Sequence, residues 1–241
     1  MEIISHRGKI NKSLSHENSE EAIKNFIDSN ITTIEIDIQL TKDNEIVLFH
    51  DDSIDCGRII DKDSNELVNN YNMILLKDVL QTIKGKRKIY LDIKNGGLNK
   101  KQINMFFAVL FNLLEDYKKE YECQQNSIYL CSFYKIYIDY LIENKIRNNY
   151  KYKIGIILYE DNILYFLNNF KESFDNFDFI SIDYRILDYI HFCFNKIDIY
   201  CYTINKLEDF NKIIDKNVTY GIISDYPEYF NSLKYNKKDK L

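Results

Sequence analysis

Short runs of apolar residues recur along the chain, separated by longer stretches in which apolar positions return every three or four residues. The short runs, rich in Ile, Tyr and Phe, predict strands over residues 2–6, 33–40, 88–94, 127–133, 152–159, 177–184, 197–203 and 220–224. The helical period falls between them, at 19–29, 76–84, 100–121, 135–147, 162–171, 185–194 and 206–216. Strands alternating with helices of this length build parallel sheets. Eight such units in 241 residues match a closed (β/α)8 TIM barrel, whose typical size is about 250 residues. A doubly wound open sheet is the competing α/β arrangement, but no Gly-rich phosphate loop follows the first strand. No Pro- or Ser-rich linker breaks the pattern, so residues 1–241 are expected to form a single domain, with a C-terminal tail from about residue 229.

One apolar run, residues 45–50, breaks the alternation because no helix separates it from the second strand. The intervening Thr41-Lys42-Asp43-Asn44 is turn-like, and Asp and Asn tolerate the left-handed backbone of tight hairpins. A short β-hairpin and loop insertion after the second strand is therefore expected. With Asp43-Asn44 as its two loop residues, the pairing runs from Lys42 with Glu45 to Asp37 with His50, and places His50 on the face that carries Asp37. A different loop slips the register and reverses that face.

The pattern also isolates polar residues where an apolar one is expected. In Ile34-Glu35-Ile36-Asp37-Ile38 the carboxylates share one strand face and the isoleucines the other. In a half-exposed edge strand this is an ordinary polar face. In a parallel barrel strand both faces are covered, and two buried carboxylates repel unless a cation joins them. Leu91-Asp92-Ile93-Lys94 repeats the alternation on the next barrel strand. Glu35, Asp37 and Asp92 thus make a hard-oxygen set suited to one divalent cation, Mg²⁺ or Ca²⁺. His6 and His50 each close an apolar run. Near neutral pH such a pair supplies one acid and one base. Arg7 and Lys94 bring fixed positive charge to the same strand ends, where an anionic substrate needs it. His16 reads as a surface-loop residue and His191 as part of a helix.

Charge and cysteine content narrow the class. Lys and Arg number 32 against 37 Asp and Glu, a net charge of −5, and no basic stripe interleaved with aromatics appears, so no nucleic-acid partner is expected. The five cysteines are odd in number and include no C-x-x-C pair; Cys131 and Cys201 lie in apolar runs, as free thiols in a reducing compartment do. No signal-peptide pattern and no apolar stretch near 18 residues occurs, so a cytoplasmic protein without a membrane span is expected. The oligomeric state has no signature in the chain.

Taken in order, Ile4-Ser5-His6-Arg7-Gly8, His16-Glu17-Asn18-Ser19, Ile34-Glu35-Ile36-Asp37, Leu40-Thr41-Lys42-Asp43-Asn44, Phe49-His50-Asp51 and Leu91-Asp92-Ile93-Lys94 resemble the glycerophosphodiester phosphodiesterases. Ser132-Phe133, Tyr202-Thr203-Ile204-Asn205 and Ser224-Asp225-Tyr226-Pro227 carry the resemblance to the end of the chain. It implies a TIM-barrel, metal-dependent phosphodiesterase that releases an alcohol and glycerol phosphate from a small glycerophosphodiester. By that resemblance His6 and His50 are the acid/base pair, Glu35, Asp37 and Asp92 hold the ion, and Arg7 and Lys94 stand near the phosphate. Glu17 resembles the acid that orients Arg7 or a histidine.

Departures from the family pattern are confined to a few positions. Position 92 is Asp where the family usually has Glu, His16 replaces a Pro, and Tyr202 replaces a Trp. Asp at 92 and the Asp55-Cys56-Gly57-Arg58 stretch also resemble the cyclising phospholipases D of the same barrel type, which gives an alternative activity on lysophospholipids. A barrel that binds a phosphorylated ligand without turnover is the non-enzymatic alternative. The span 51–73 is short and polar, too small for a large lid, and points to a small soluble substrate.

Overall fold

The computed structural model describes residues 1–11, 16–94, 96–122, 127–148, 151–170, 176–193, 196–216 and 220–238. Parts of several expected elements lie outside them or outside the described side chains, including Lys171, Phe194, Cys123 and the side chains of His191 and Cys193.

Eight parallel strands close into the expected barrel: β1 (Glu2–Ser5), β2 (Thr33–Leu40), β6 (Lys88–Ile93), β7 (Ile128–Ser132), β8 (Lys153–Leu158), β9 (Phe179–Asp183), β10 (Asp198–Tyr202) and β11 (Gly221–Ser224). Closure rests on β1, which pairs with β11 through Ile4 and Ile223 and with β2 through Ser5 and Ile34. The (β/α)8 barrel is thus the fold, with helices α1 (Glu20–Asp28), α3 (Leu76–Ile83), α4 (Lys100–Tyr121), α5 (Lys135–Asn148), α6 (Glu160–Phe170) and α7 (Leu207–Lys216) around it. After β9 the chain runs through two short 3-10 segments within Tyr184–Cys193, broken by a kink at Ile190, in place of the expected helix.

Side-chain alternation sorts each strand between two cores. Ile34, Ile36, Ile38, Leu91 and Ile93 point outward and pack under the helices. The inward positions stack in layers. At the base, Glu2 accepts from Lys88 Nζ at 3.0 Å and from Tyr200 Oη at 3.3 Å. Above it Tyr90, Tyr129, Phe179 and Tyr200 fill the middle, with ring centroids 5.1–6.1 Å apart. This layer needs Gly155, because a Cβ there would run into the Phe179 ring. The top layer, at the strand C-termini, is polar, and it is there that barrel enzymes place their chemistry.

Helix α8 (Pro227–Lys238) takes in residues read from the sequence as the start of a tail, and Phe230 is fully buried beneath it against Phe210. A second helix absent from the sequence pattern, α2 (Ser64–Tyr71), belongs to the insertion that follows β3 (Ile46–Leu48). That insertion also holds the two-residue strands β4 (Ser53–Ile54) and β5 (Gly57–Arg58), and packs around its own small core of Val47, Ile59, Leu67 and Met73.

The hairpin forms, but its register differs by one from the expected one. The observed pairs are Ile38 with Leu48, Gln39 with Val47 and Leu40 with Ile46. The loop has three residues, Lys42, Asp43 and Asn44, and Asn44 takes a left-handed φ of 64°. Thr41 and Asp43 stabilise that form: Thr41 Oγ1 donates to Asp43 Oδ1 at 2.6 Å, and Asp43 in turn accepts from Ser64 N at 2.8 Å. Asp37 therefore faces Phe49, whose N–H donates to Asp37 O at 3.2 Å, rather than His50.

Candidate active site

Strand register assembles the carboxylates. Asp37 and Asp92 are direct partners on β2 and β6, and Glu35 sits two residues earlier on the same face. Ligand oxygens of Glu35, Asp37 and Asp92 lie within 4.8 Å of one another, and all three residues are buried. Because β2 is buried along its whole length, the ordinary edge-strand reading of this polar face does not apply.

The charges around the triad hold it unevenly. Lys94 Nζ lies 2.7 Å from Asp92 Oδ2 and 3.2 Å from Asp37 Oδ1. Arg7 donates its backbone N–H to Glu35 Oε2 at 2.9 Å, and its Nε lies 3.1 Å from Asp37 Oδ2 without the alignment of a hydrogen bond. Asn18 brackets Asp37, donating Nδ2–H to Oδ2 at 2.8 Å and accepting the Asp37 N–H at 3.2 Å. Burial, then the charges of Asp37 and Asp92, push the Glu35 carboxyl well above the usual range. Burial raises Asp92 to about 6 against the pull of Lys94. Asp37 is also buried, but Lys94, Arg7 and His50 outweigh that and hold it below the ordinary value. Burial opposes the charge on Lys94, yet Asp92 and Asp37 raise its pKa.

Three hard oxygen donors with Asp92 Oδ1 buried and unpartnered fit a divalent cation: the orphaned oxygen is an acceptor with nothing to accept from. The shorter Asp at position 92 still reaches the cluster.

Both histidines line the cavity with this triad. His6 follows β1 on a 3-10 turn, His6–Gly8, in which Arg7 has a left-handed φ of 54°. Its side chain is 16% exposed, and Nδ1 is 2.7 Å from Asp225 Oδ1. His50 arrives by another route than cross-strand pairing with Asp37. The β2–β3 ladder ends at Leu48, and Gln39 Nε2 then donates to Phe49 O at 2.9 Å and to Asp51 O at 2.7 Å, turning the chain toward the cavity. His50 Nδ1 lies 2.7 Å from Asp51 Oδ1, in a pair where both side chains are exposed.

The cavity, about 500 Å³ including its open mouth, is lined by His6, Arg7, Glu35, Asp37, His50, Asp92 and Lys94, with Tyr90, Phe133 and Tyr202 as its aromatic wall. Glu17 stands behind this set, where it pairs with Arg7 Nη1 and accepts from Lys9 Nζ at 2.6 Å. Pairing with Lys9 and Arg7 outweighs the burial that raises the Glu17 carboxyl, and holds it below its usual value.

Sequence reasoning missed the residues that fix this arrangement. Asp225, Asn205 and Asn18 enter the sequence pattern only as members of motifs, and Lys9 does not enter it at all. Spacing offers no signal for Asp225, which stands 219 positions from His6. The insertion docks on the segment that follows β6: Arg58 Nη2 donates to Gly96 O at 2.9 Å and Asp52 Oδ1 accepts from Gly96 N at 3.1 Å. Among the described residues, the exposed Cys56 and the buried Cys131 and Cys201 are thiols outside any disulfide.

A closed barrel whose C-terminal rim gathers a carboxylate triad, two histidines, Arg7 and Lys94 carries these groups where barrel enzymes place their active sites. The model of the Glycerophosphoryl diester phosphodiesterase family matches residues 6–133, and the chain belongs to that family. It is a phosphoric diester hydrolase. Similar folds occur in a glycerophosphodiester phosphodiesterase from Parabacteroides distasonis (18% identity, 98% of each chain covered, TM-score 0.77) and one from Thermotoga maritima (21%, 97% of this chain and 98% of that one, 0.73). A third is an Oleispira antarctica phosphodiesterase solved in complex with the product sn-glycerol-3-phosphate (17%, 96% of each chain, 0.75). No curated protein matches the sequence. Among the described residues no helix is long and apolar enough to cross a membrane.

Proposed function

We propose that the protein hydrolyses a small glycerophosphodiester to an alcohol and glycerol phosphate, with one divalent cation, Mg²⁺ or Ca²⁺, held by Glu35, Asp37 and Asp92. The observation that carries this reading is the gathering of His6, His50, Arg7, Lys94 and the triad around one cavity at the barrel's C-terminal rim. When bound, the cation neutralises a non-bridging phosphate oxygen.

The chain's own groups account for the proton transfers. One imidazole removes the proton of the glycerol hydroxyl next to the phosphodiester, and the other protonates the departing alcohol oxygen. The resulting cyclic glycerol phosphate is opened by water with the two roles exchanged. Both histidines carry a carboxylate at Nδ1, so each has Nε2 for these transfers. Lys94 and Arg7 counter the charge that develops on phosphorus-bound oxygen. Glu17 holds Arg7 at its guanidinium.

The test is hydrolysis of glycerophosphocholine by the purified protein, with chelator and after adding back Mg²⁺ or Ca²⁺. Cation-dependent release of choline and glycerol phosphate is the expected result. A cyclic phosphate that accumulates as end product marks the cyclising phospholipase reading instead. Ligand-induced stabilisation with no turnover under any cation marks a binding barrel.

A further inference from the structure

Asp225 opens the segment after β11, and Asp225 Oδ1 lies 2.7 Å from His6 Nδ1. Its orientation is fixed from three sides. Asn205 Nδ2 donates to Asp225 Oδ2 at 2.6 Å, the Asp225 backbone N–H donates to Asn205 Oδ1 at 2.9 Å, and Ser224 Oγ donates to the same Asn205 oxygen at 3.3 Å. Asn205 is thereby locked: its oxygen is committed to two donors and its amide nitrogen must face Asp225. Lys9 Nζ completes the cluster, 3.4 Å from Asp225 Oδ1 and 2.6 Å from Glu17 Oε2, which also holds Arg7. The pair of His50 with Asp51 has no such frame, for Asp51 is 71% exposed.

We infer that Asp225, clamped by Asn205, is the positioning residue of His6, fixing the ring proton on Nδ1 and leaving Nε2 as the nitrogen that exchanges a proton with substrate. This inference rests on the reading of His6 as an acid/base group. Among the described residues only Asp225 reaches His6 Nδ1 with a charged acceptor; Lys9 and Arg7 bring donors alone.

The lock makes an unusual substitution informative. In Asp225→Asn the new amide must present its oxygen to Asn205 Nδ2, because two amide nitrogens cannot face each other. Its own NH₂ then points at His6 Nδ1 and drives the ring proton to Nε2. Lys9 opposes this turn, since it too favours an oxygen at Oδ1, but its contact is the longer one and it retains Glu17. Adding Asn205→Asp reverses the lock. The new carboxylate accepts both the backbone N–H and the amide introduced at position 225, which returns an oxygen to His6.

Two measurements test this. The first is ¹⁵N NMR of histidine-labelled wild-type protein, with the His6 signals assigned from His6→Ala. The neutral form of His6 is expected to carry its proton on Nδ1, and a neutral form protonated at Nε2 overturns the inference whether or not the variants fold. The second is turnover. D225N is expected to lower kcat by about 10²–10⁴-fold, on the scale of a misplaced acid/base group, with KM changed little. The D225N/N205D pair is expected to recover at least tenfold of that loss. Full activity in D225N, or no recovery in the pair, overturns the inference. Full activity in His6→Ala refutes instead the role assigned to His6, which the NMR result alone does not touch.

Discussion

Lys94 Nζ stands 2.7 Å from Asp92 Oδ2, two positions along the same strand face, while the other oxygen of Asp92 is buried without a partner. Lys94 therefore neutralises only part of the triad and leaves the rest facing the cavity. Substituting Lys94→Met keeps an unbranched side chain of similar length but removes the charge, and with it the contact of Nζ over the Phe133 ring, whose centroid is 4.7 Å away. The expected loss in kcat/KM is about 10²–10³-fold, as for one oxyanion-stabilising donor. A loss below threefold, measured on folded protein with saturating cation, removes Lys94 from the phosphate site.

The two histidines are expected to be of similar weight despite unequal burial. His6→Ala and His50→Ala should each lower kcat by about 10²–10⁴-fold. On the proposed mechanism the two groups act in one proton relay, so the double variant should be far less impaired than the product of the singles. Multiplying losses indicate independent tasks, and near-normal turnover by either single variant excludes that residue from the relay.

Much of this architecture was legible in the chain. The eight strand runs are readable because parallel barrel strands are buried on both faces, and Glu35, Asp37 and Asp92 stand out against that apolar background. The hairpin register was not, because one residue, Asn44 at φ 64°, turns a two-residue loop into a three-residue one and slips every pair. Helix α8 was hidden by composition: its Lys-rich end masks a stripe resting on Phe230 and Leu233. The frame around His6 was hidden for a topological reason. Barrel closure brings β11 beside β1, so residues from the two ends of the chain meet only in the folded molecule.

On the proposed function, Asp92 makes cation binding depend on pH. Burial raises this carboxyl from an ordinary 3.8 to about 6 in the metal-free fold, with Lys94 partly offsetting the effect. Between those values the folded state holds a proton that the unfolded chain has released. The stabilisation from that proton is lost as pH rises through about 6. Above it the ionised group is a cost that a bound cation relieves; below it protons compete with the cation. The rise in Tm on adding millimolar Mg²⁺ or Ca²⁺ should therefore be larger at pH 7.5 than at pH 5.5. An equal or reversed difference contradicts a cation held by Asp92.

Asn18 tests whether the triad must be pre-aligned as well as present. The residue adopts φ 55°, forms no part of the cavity wall, and reaches back to bind Asp37 through both ends of its amide. Its backbone N–H also donates to Arg7 O at 2.9 Å, so the loop that carries Glu17 and the turn that carries His6 are tied together at this point. Asn18→Ala leaves the backbone tie and all three carboxylates in place, but leaves Asp37 Oδ2 held only by Arg7, whose Nε is 3.1 Å away without hydrogen-bond alignment. Loss of such a supporting hydrogen bond typically costs 10–100-fold in metal affinity. The cation concentration for half-maximal activity should rise by about that factor, while kcat at saturating cation falls less. Unchanged cation dependence in a folded Asn18→Ala variant means that Lys94 and Arg7 alone set the orientation of Asp37.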